Sequence, residues 1–327
     1  MQGGAAGAGV AGPAALRGDV PPQIDPVVFS AMSTAPLSID DVEERLRERR
    51  YIGDRGLATS IFLALKLEKP LFIEGEAGVG KTEAAKVMAD VLGARLIRLQ
   101  CYEGIDLAHA VYEWNYPRQL LHIRLLGEKD DRRTAEREIF SPEFLLRRPL
   151  LDAIDNDDLT APVLLIDEID RSDEEFEAFL LELLSDFQVS IPEIGTIKAK
   201  KAPFVVITSN RTREVHDALK RRCLYHWIDY PNLEKEVEIV RARAPEAAEG
   251  LAREVAALVQ GLRGMDLYKV PGVAETLDWA RSLAALGATR IDSALVDATL
   301  GSALKYQEDL EKVREQVPAM VEKARGA

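Results

Sequence analysis

Apolar residues are distributed in two ways along this chain. In the first two thirds they form short runs, Leu71 to Ile73, Pro162 to Ile166, Pro203 to Ile207 and Leu224 to Ile228, and Arg95 to Leu99 reads as another strand. A run this short, bounded by polar residues, is the mark of a strand buried on both faces. Between the runs the apolar positions change to helical spacing, as in Ala84, Val87, Met88 and Val91. Ser38 opens an earlier helix with acids in its first turn and arginines in its last, the order that suits a helix dipole. Gly56 to Lys66 and Ser172 to Ser185 are helical as well. Strands alternating with helices predict an α/β fold, a parallel sheet covered by helices. Phe187 to Lys201 reads as a hairpin turning near Gly195.

From Pro231 onward strand signals nearly vanish, and stretches such as NLEKEVEIVRAR and VAETLDWARSLAAL are helical. The expected organisation is a disordered Ala/Gly/Pro-rich tail over 1–26, a nucleotide-binding α/β domain over 27–231 and a small all-α lid domain over 232–327, with Pro318 interrupting its last helix. Within the α/β part the pattern loosens between about 101 and 160, which reads as an insertion. It holds aromatics (Tyr102, Tyr112, Trp114, Tyr116), a charged loop (GEKDDRRTAERE) and a predicted helix from Pro142 to Ile154. The aromatics either contact a partner or pack beneath the insertion.

Composition narrows the partners. The 327 residues carry a formal net charge of -13, against a general binder of nucleic acid or anionic membrane, whose phosphates need a basic surface. The two cysteines, Cys101 and Cys223, have no zinc or disulfide spacing and suit a reducing cytoplasm. No run of about 18 apolar residues occurs, so no membrane span is expected. The tail lacks the basic start and unbroken apolar stretch of a secretory signal.

The chemistry begins where the first solid run ends. Gly75, Glu76, Ala77, Gly78, Val79, Gly80, Lys81 and Thr82 follow a strand and precede a helix, the context of a phosphate-binding loop. Glycines let successive N–H groups point at phosphate oxygens, Lys81 reaches the β- and γ-phosphates, and Thr82 is placed to ligate magnesium. The run PVLLIDEID delivers Asp167 and Glu168 to a strand's C-terminal end, where open parallel sheets bind ligands. Asp167 is the second metal ligand and Glu168 the general base for an attacking water. Asn210 ends the run PFVVITSN and can bond both that water and a phosphate oxygen. Arg221 and Arg222 close a helix before the last strand, and a guanidinium there suits the γ-phosphate held by a neighbouring subunit. Arg221 is the stronger candidate, and Arg171 a weaker one for the same interface. ATP and Mg2+ are the expected ligands. The four histidines have no metal-ligand spacing.

The order of these parts resembles the AAA+ ATPases, specifically the MoxR family, through GEAGVGKT, LLIDEID and ITSN, over about residues 38–327. LQCYEGIDLAHAVYEWNYPRQLLHIR, FLLRRPLL, ALKRRCLYHWIDYP and VAETLDWARSL are similar to the CoxD subgroup, implicated in finishing the active site of aerobic carbon monoxide dehydrogenase. The resemblance implies a homo-oligomer, a hexameric ring, that works with a von Willebrand factor A domain protein on a molybdenum enzyme client. It also implies a lid arginine that senses the γ-phosphate, but the matching segment here has Val273 and Ala274. Lys269 and Arg281 are the nearby cations, and neither is assigned that role. The expected activity is hydrolysis of ATP to ADP and phosphate in the service of remodelling a client. The alternatives are a nucleotide-gated adaptor with negligible hydrolysis, or the same machine acting on a different metalloenzyme. A nucleic-acid motor is the third and conflicts with the acidic balance.

Overall fold

The computed structural model describes residues 36, 38–126 and 138–326, and by its contacts Thr34–Ala327 is one compact unit. The tail expected over 1–26 and the charged loop over 127–137 lie outside the described residues. Nine strands occur among the described residues: β1 Leu71–Gly75, β2 Leu96–Gln100, β3 Tyr112–Trp114, β4 Leu145–Arg147, β5 Val163–Asp167, β6 Gln188–Ile191, β7 Gly195–Lys198, β8 Phe204–Ser209 and β9 Leu224–Ile228. Five of them form an all-parallel sheet in the order β2-β5-β8-β1-β9. These are the five strands expected from the sequence, and β1 and β5 are buried at every position.

Alternation along β1 sends Leu71 and Ile73 to one face of the sheet and Phe72 to the other. Leu71 and Ile73 join a core with α2 (Arg55–Leu67) and α3 (Lys81–Leu92). Phe72 joins Leu150, Leu151, Leu180 and Leu183 from the helices Pro149–Ile154 and Glu174–Asp186. The covering helices start where polar caps dictate: Ser38 accepts from Asp41 N–H ahead of α1 (Ile39–Glu48), Asp54 from Leu57 N–H, and Asp173 from Phe176 N–H.

The helices between Leu233 and Arg325 bury a third apolar cluster, in which Trp279 is fully enclosed and donates from Nε1 to Thr299 Oγ1 at 2.8 Å. Glu236, also fully buried, accepts two bonds from Arg263 at 2.7 Å each and others from Gln260 and Thr276. Such a satisfied pair holds three helices in one register, whereas either ion alone would be strongly unfavourable there. Pro318 sits in the first turn of the helix Val317–Arg325, beginning a new helix after Gln307–Arg314.

The insertion departs most from expectation. The helix predicted over Pro142–Ile154 is instead a 3-10 turn at Pro142–Phe144, then β4, then the helix Pro149–Ile154. Arg148 precedes a proline, which drives it into the extended region (ψ 169°) and breaks any helix passing through. β4 pairs antiparallel with β3, and the hairpin β6-β7 turns at Gly195 (φ 103°) as expected. The aromatic group divides: Trp114 is buried, while Tyr102 and Tyr116 are exposed. The helix Tyr116–Leu126 is inverted, with Gln119 buried and Leu120, Leu121, Ile123 and Leu125 exposed.

Both cysteines are free thiols, and burial pushes each up to about 12. At pH 8 the thiolate fraction is then about one in ten thousand. A disulfide reagent at that pH is expected to leave both unmodified in the native protein and to titrate both after denaturation. Rapid labelling of native Cys223 would contradict this.

Candidate functional site

The ends of β1, β5 and β8 lie side by side at the C-terminal edge of the sheet, because the three strands are parallel neighbours. The end of β1 and the loop after it carry three glycines that are needed for three different reasons. A Cβ on Gly75 would lie 2.2 Å from the Ile228 carbonyl oxygen, so the strand pairing itself requires glycine. Gly78 (φ 78°) faces Gly272, where an added Cβ would meet the Ala77 carbonyl oxygen at 2.7 Å. Gly80 (φ 97°) turns the chain into α3, and an added Cβ would make only an ordinary 3.8 Å contact with the Tyr51 ring, so the backbone angle alone calls for glycine.

α3 begins at Lys81, which is buried and donates from Nζ to the carbonyls of Gly75 at 2.8 Å and Glu76 at 2.6 Å. Burial lowers its pKa, opposed by Asp170, Glu76, Asp167 and Glu168 around it. Thr82 Oγ1 donates to Asp167 Oδ1 at 2.9 Å, joining the start of α3 to the end of β5. Asp167 also accepts from Thr208 at 2.5 Å and from Arg98 Nε at 2.9 Å. Glu168 adopts the left-handed region (φ 57°), its N–H donating to Thr208 Oγ1 at 3.0 Å and its carboxylate meeting Arg171 Nε at 2.8 Å. A non-glycine residue held in that region stores strain of the kind found at working sites. Buried Asp170 accepts from the N–H groups of Asn210 and Thr212, at 3.1 and 2.9 Å, and so fixes the turn that carries Asn210.

A cavity of about 520 Å³ gathers most of the expected residues: the loop from Ala77 to Thr82, with Asp167, Glu168, Arg171 and Asn210. Gly75 and Glu76 stand outside its lining and act through the carbonyls that hold Lys81. Arg221 lies in a separate open cavity of about 470 Å³ with Glu74, Arg211, Glu214, Lys220 and Tyr225. Its guanidinium is exposed and meets Asp217 at 2.8 Å. Arg222 is engaged with Leu181 O and Ser185 Oγ. Within one chain, then, neither arginine lines the loop's cavity.

Several contributors escape a reading of spacing. Arg98 on β2, Thr208 on β8 and Asp170 act through partners distant in sequence; Asp170 and Thr208 lie inside the motifs LLIDEID and ITSN, while Arg98 carried no signal. Tyr51, Ile52 and Asp54, between α1 and α2, form one wall of the cavity. On the helical side Val273 and Ala274 line it, and Ala274 N–H donates to the Gly78 carbonyl at 3.2 Å. Lys269 lines the cavity too, whereas Arg281 is occupied by the Arg243 carbonyl at 2.8 Å and Glu246 at 3.5 Å.

The residues present fit a nucleoside triphosphate with magnesium. A buried ammonium satisfied only by loop carbonyls, beside a hydroxyl and carboxylate 2.9 Å apart at a helix start, is the donor set those groups need.

Residues 70–223 match the family model of the AAA domain, dynein-related subfamily. No curated protein matches the chain. Among solved structures it is similar to Thermotoga maritima RuvB, a Holliday junction branch migration motor, at 16% identity and a TM-score of 0.42, covering 82% of this chain and 72% of that one. It is also similar to a protein of Cytophaga hutchinsonii assigned as an ATPase, at 15% identity and a TM-score of 0.44, covering 86% of each chain. The five-stranded parallel sheet and its covering helices have the AAA+ P-loop NTPase fold.

Proposed function

We propose that this chain is an ATP-hydrolysing AAA+ remodelling ATPase of the MoxR type, of the CoxD-like subgroup, which helps finish the active site of a molybdenum enzyme of the carbon monoxide dehydrogenase kind. The observation that carries the ATPase reading is the meeting of Lys81, Thr82, Asp167, Glu168 and Asn210 on one cavity. The loop N–H groups and Lys81 hold the phosphates. A magnesium ion held by Thr82 and Asp167 would supply positive charge at the β- and γ-phosphates. Glu168 leaves Arg171 to take a proton from the attacking water, and Asn210, steadied by Asp170, orients that water. Arg221 serves the nucleotide of a neighbouring copy in a homo-oligomeric, hexameric ring, since its exposed guanidinium lies outside its own chain's cavity while Arg222 is engaged internally.

The helices from 233 to 325 act as a lid domain on the α/β domain of residues 27–231, with Lys269 the cation nearest the role of the missing lid arginine. The client assignment, the von Willebrand factor A partner and a cytoplasmic location rest on the sequence resemblance. The outward leucines of the helix 116–126 offer a surface for such a client.

The test is magnesium-dependent phosphate release from ATP. The specific rate is expected to rise with protein concentration, because the site is shared. Arg221→Ala is expected to abolish that rise, and Arg222→Ala to act mainly on stability. A rate independent of concentration and of Arg221 would remove the shared site from the reading.

The pairing of Glu168 with Arg171 and the lack of an arginine at 273–274 favour a second reading, a nucleotide-gated adaptor with negligible hydrolysis. Phosphate release with and without the partner separates the two. Hydrolysis absent in both conditions favours the adaptor.

A further inference from the structure

We infer that Glu74 is a positioning residue for Arg221, fastening the helix that carries the arginine to the strand that ends in the phosphate loop. This rests on the reading of Arg221 as a residue acting on a neighbouring copy. Glu74 directly precedes Gly75 in β1 and shares a sheet face with Phe72, opposite the face covered by α3. Its residue is 3% exposed. A carboxylate at that depth is retained only with partners, and here they come from three segments. Lys220 Nζ lies 3.3 and 3.5 Å from its two oxygens, the Tyr225 hydroxyl donates at 2.8 Å, and Ser209 Oγ lies at 3.4 Å.

Lys220 is the residue before Arg221, in the helix Asp217–Arg222. Its ammonium also sits 5.5 Å from the Phe72 ring centroid, and Phe72 in turn stacks on Tyr225 at 6.1 Å. The other end of this short helix is held by fully buried Glu177, which accepts from His216 N–H at 2.7 Å and pairs with Arg213. The helix is therefore pinned at both ends while the Arg221 side chain stays exposed. Desolvation of the hydroxyl and its bond to Glu74 raise the Tyr225 pKa to about 12. The strand that feeds the loop on one face thus sets, through Glu74, where the arginine is presented on the other.

Mixing of variants tests this. Lys81→Ala copies cannot use their own site but can lend Arg221, and Arg221→Ala copies can bind nucleotide but lack the arginine. Mixed, the two are expected to recover phosphate release that neither has alone. Lys81→Ala copies that also carry Glu74→Gln are expected to recover about fivefold less or worse, at an unchanged melting temperature and with the nucleotide Kd of the Glu74→Gln single variant within about threefold of wild type. Lys220→Met donors carry the same expectation and serve where Glu74→Gln does not fold. No recovery with plain Lys81→Ala donors would overturn the shared-site reading. Full recovery with both donor types overturns the role of Glu74 alone. A loss that tracks a lowered melting temperature in both Glu74→Gln and Lys220→Met also overturns it, in favour of a purely structural pair.

Discussion

Lys81→Ala is expected to weaken nucleotide binding by roughly a hundredfold or more. The side chain is buried at the start of α3, held by two carbonyls of the preceding loop and ringed by Asp167, Glu168 and Asp170. Without the ammonium those carboxylates face the phosphates with less positive charge to offset them. Each charge-assisted bond that the ammonium would make to a phosphate oxygen contributes about 1.5–3 kcal/mol, so losing two weakens affinity by roughly a hundredfold or more. Lys81→Arg is expected to fail nearly as badly, because the larger planar guanidinium has to enter a pocket shaped around a buried chain. Calorimetric titration with ADP and ATP reads both variants. A Kd within threefold of wild type for Lys81→Ala would mean that the loop does not hold the phosphates.

Glu168→Gln is expected to leave nucleotide binding intact and reduce turnover by about 10²–10⁴, the span of general-base contributions. Glutamine matches the shape, can still accept from Arg171 and keeps the backbone N–H bond to Thr208. What it lacks is basicity toward a water proton. Single-turnover phosphate release, measured beside nucleotide affinity, separates the two properties. Turnover at the wild-type rate would remove Glu168 from the chemistry, and a parallel loss of affinity would make its role structural.

The central strands β1, β5 and β8 were readable in the sequence because burial on both faces selects mostly apolar side chains, and the edge strands β2 and β9 because they keep enough of that apolar character. β3 and β4 were not, since each has three residues and partly exposed positions, too few to establish a period. The helix at 116–126 was hidden for the opposite reason: its apolar residues point outward, so helical spacing gives no inward stripe. At the site, the residues from Ala77 to Thr82, with Asp167, Glu168 and Asn210, meet as their spacing suggested, because each lies at or just beyond the same edge of a parallel sheet. The departures are equally physical. Gly75 is required by β9 and not by the cavity, and the contributions of Arg98 and Glu74 depend on neighbours that only the strand order supplies.

Gly78 and Gly272 press against each other, and the first turn of the helix Val273–Ala285 hangs from the Gly78 carbonyl. Two properties that selection would ordinarily adjust one at a time, the grip on a ligand and the seat of the helical segment, are therefore written into the same few atoms. A lineage can alter one only by accepting a change in the other. Variants that arise at position 272 should accordingly be inherited together with compensating changes in the loop.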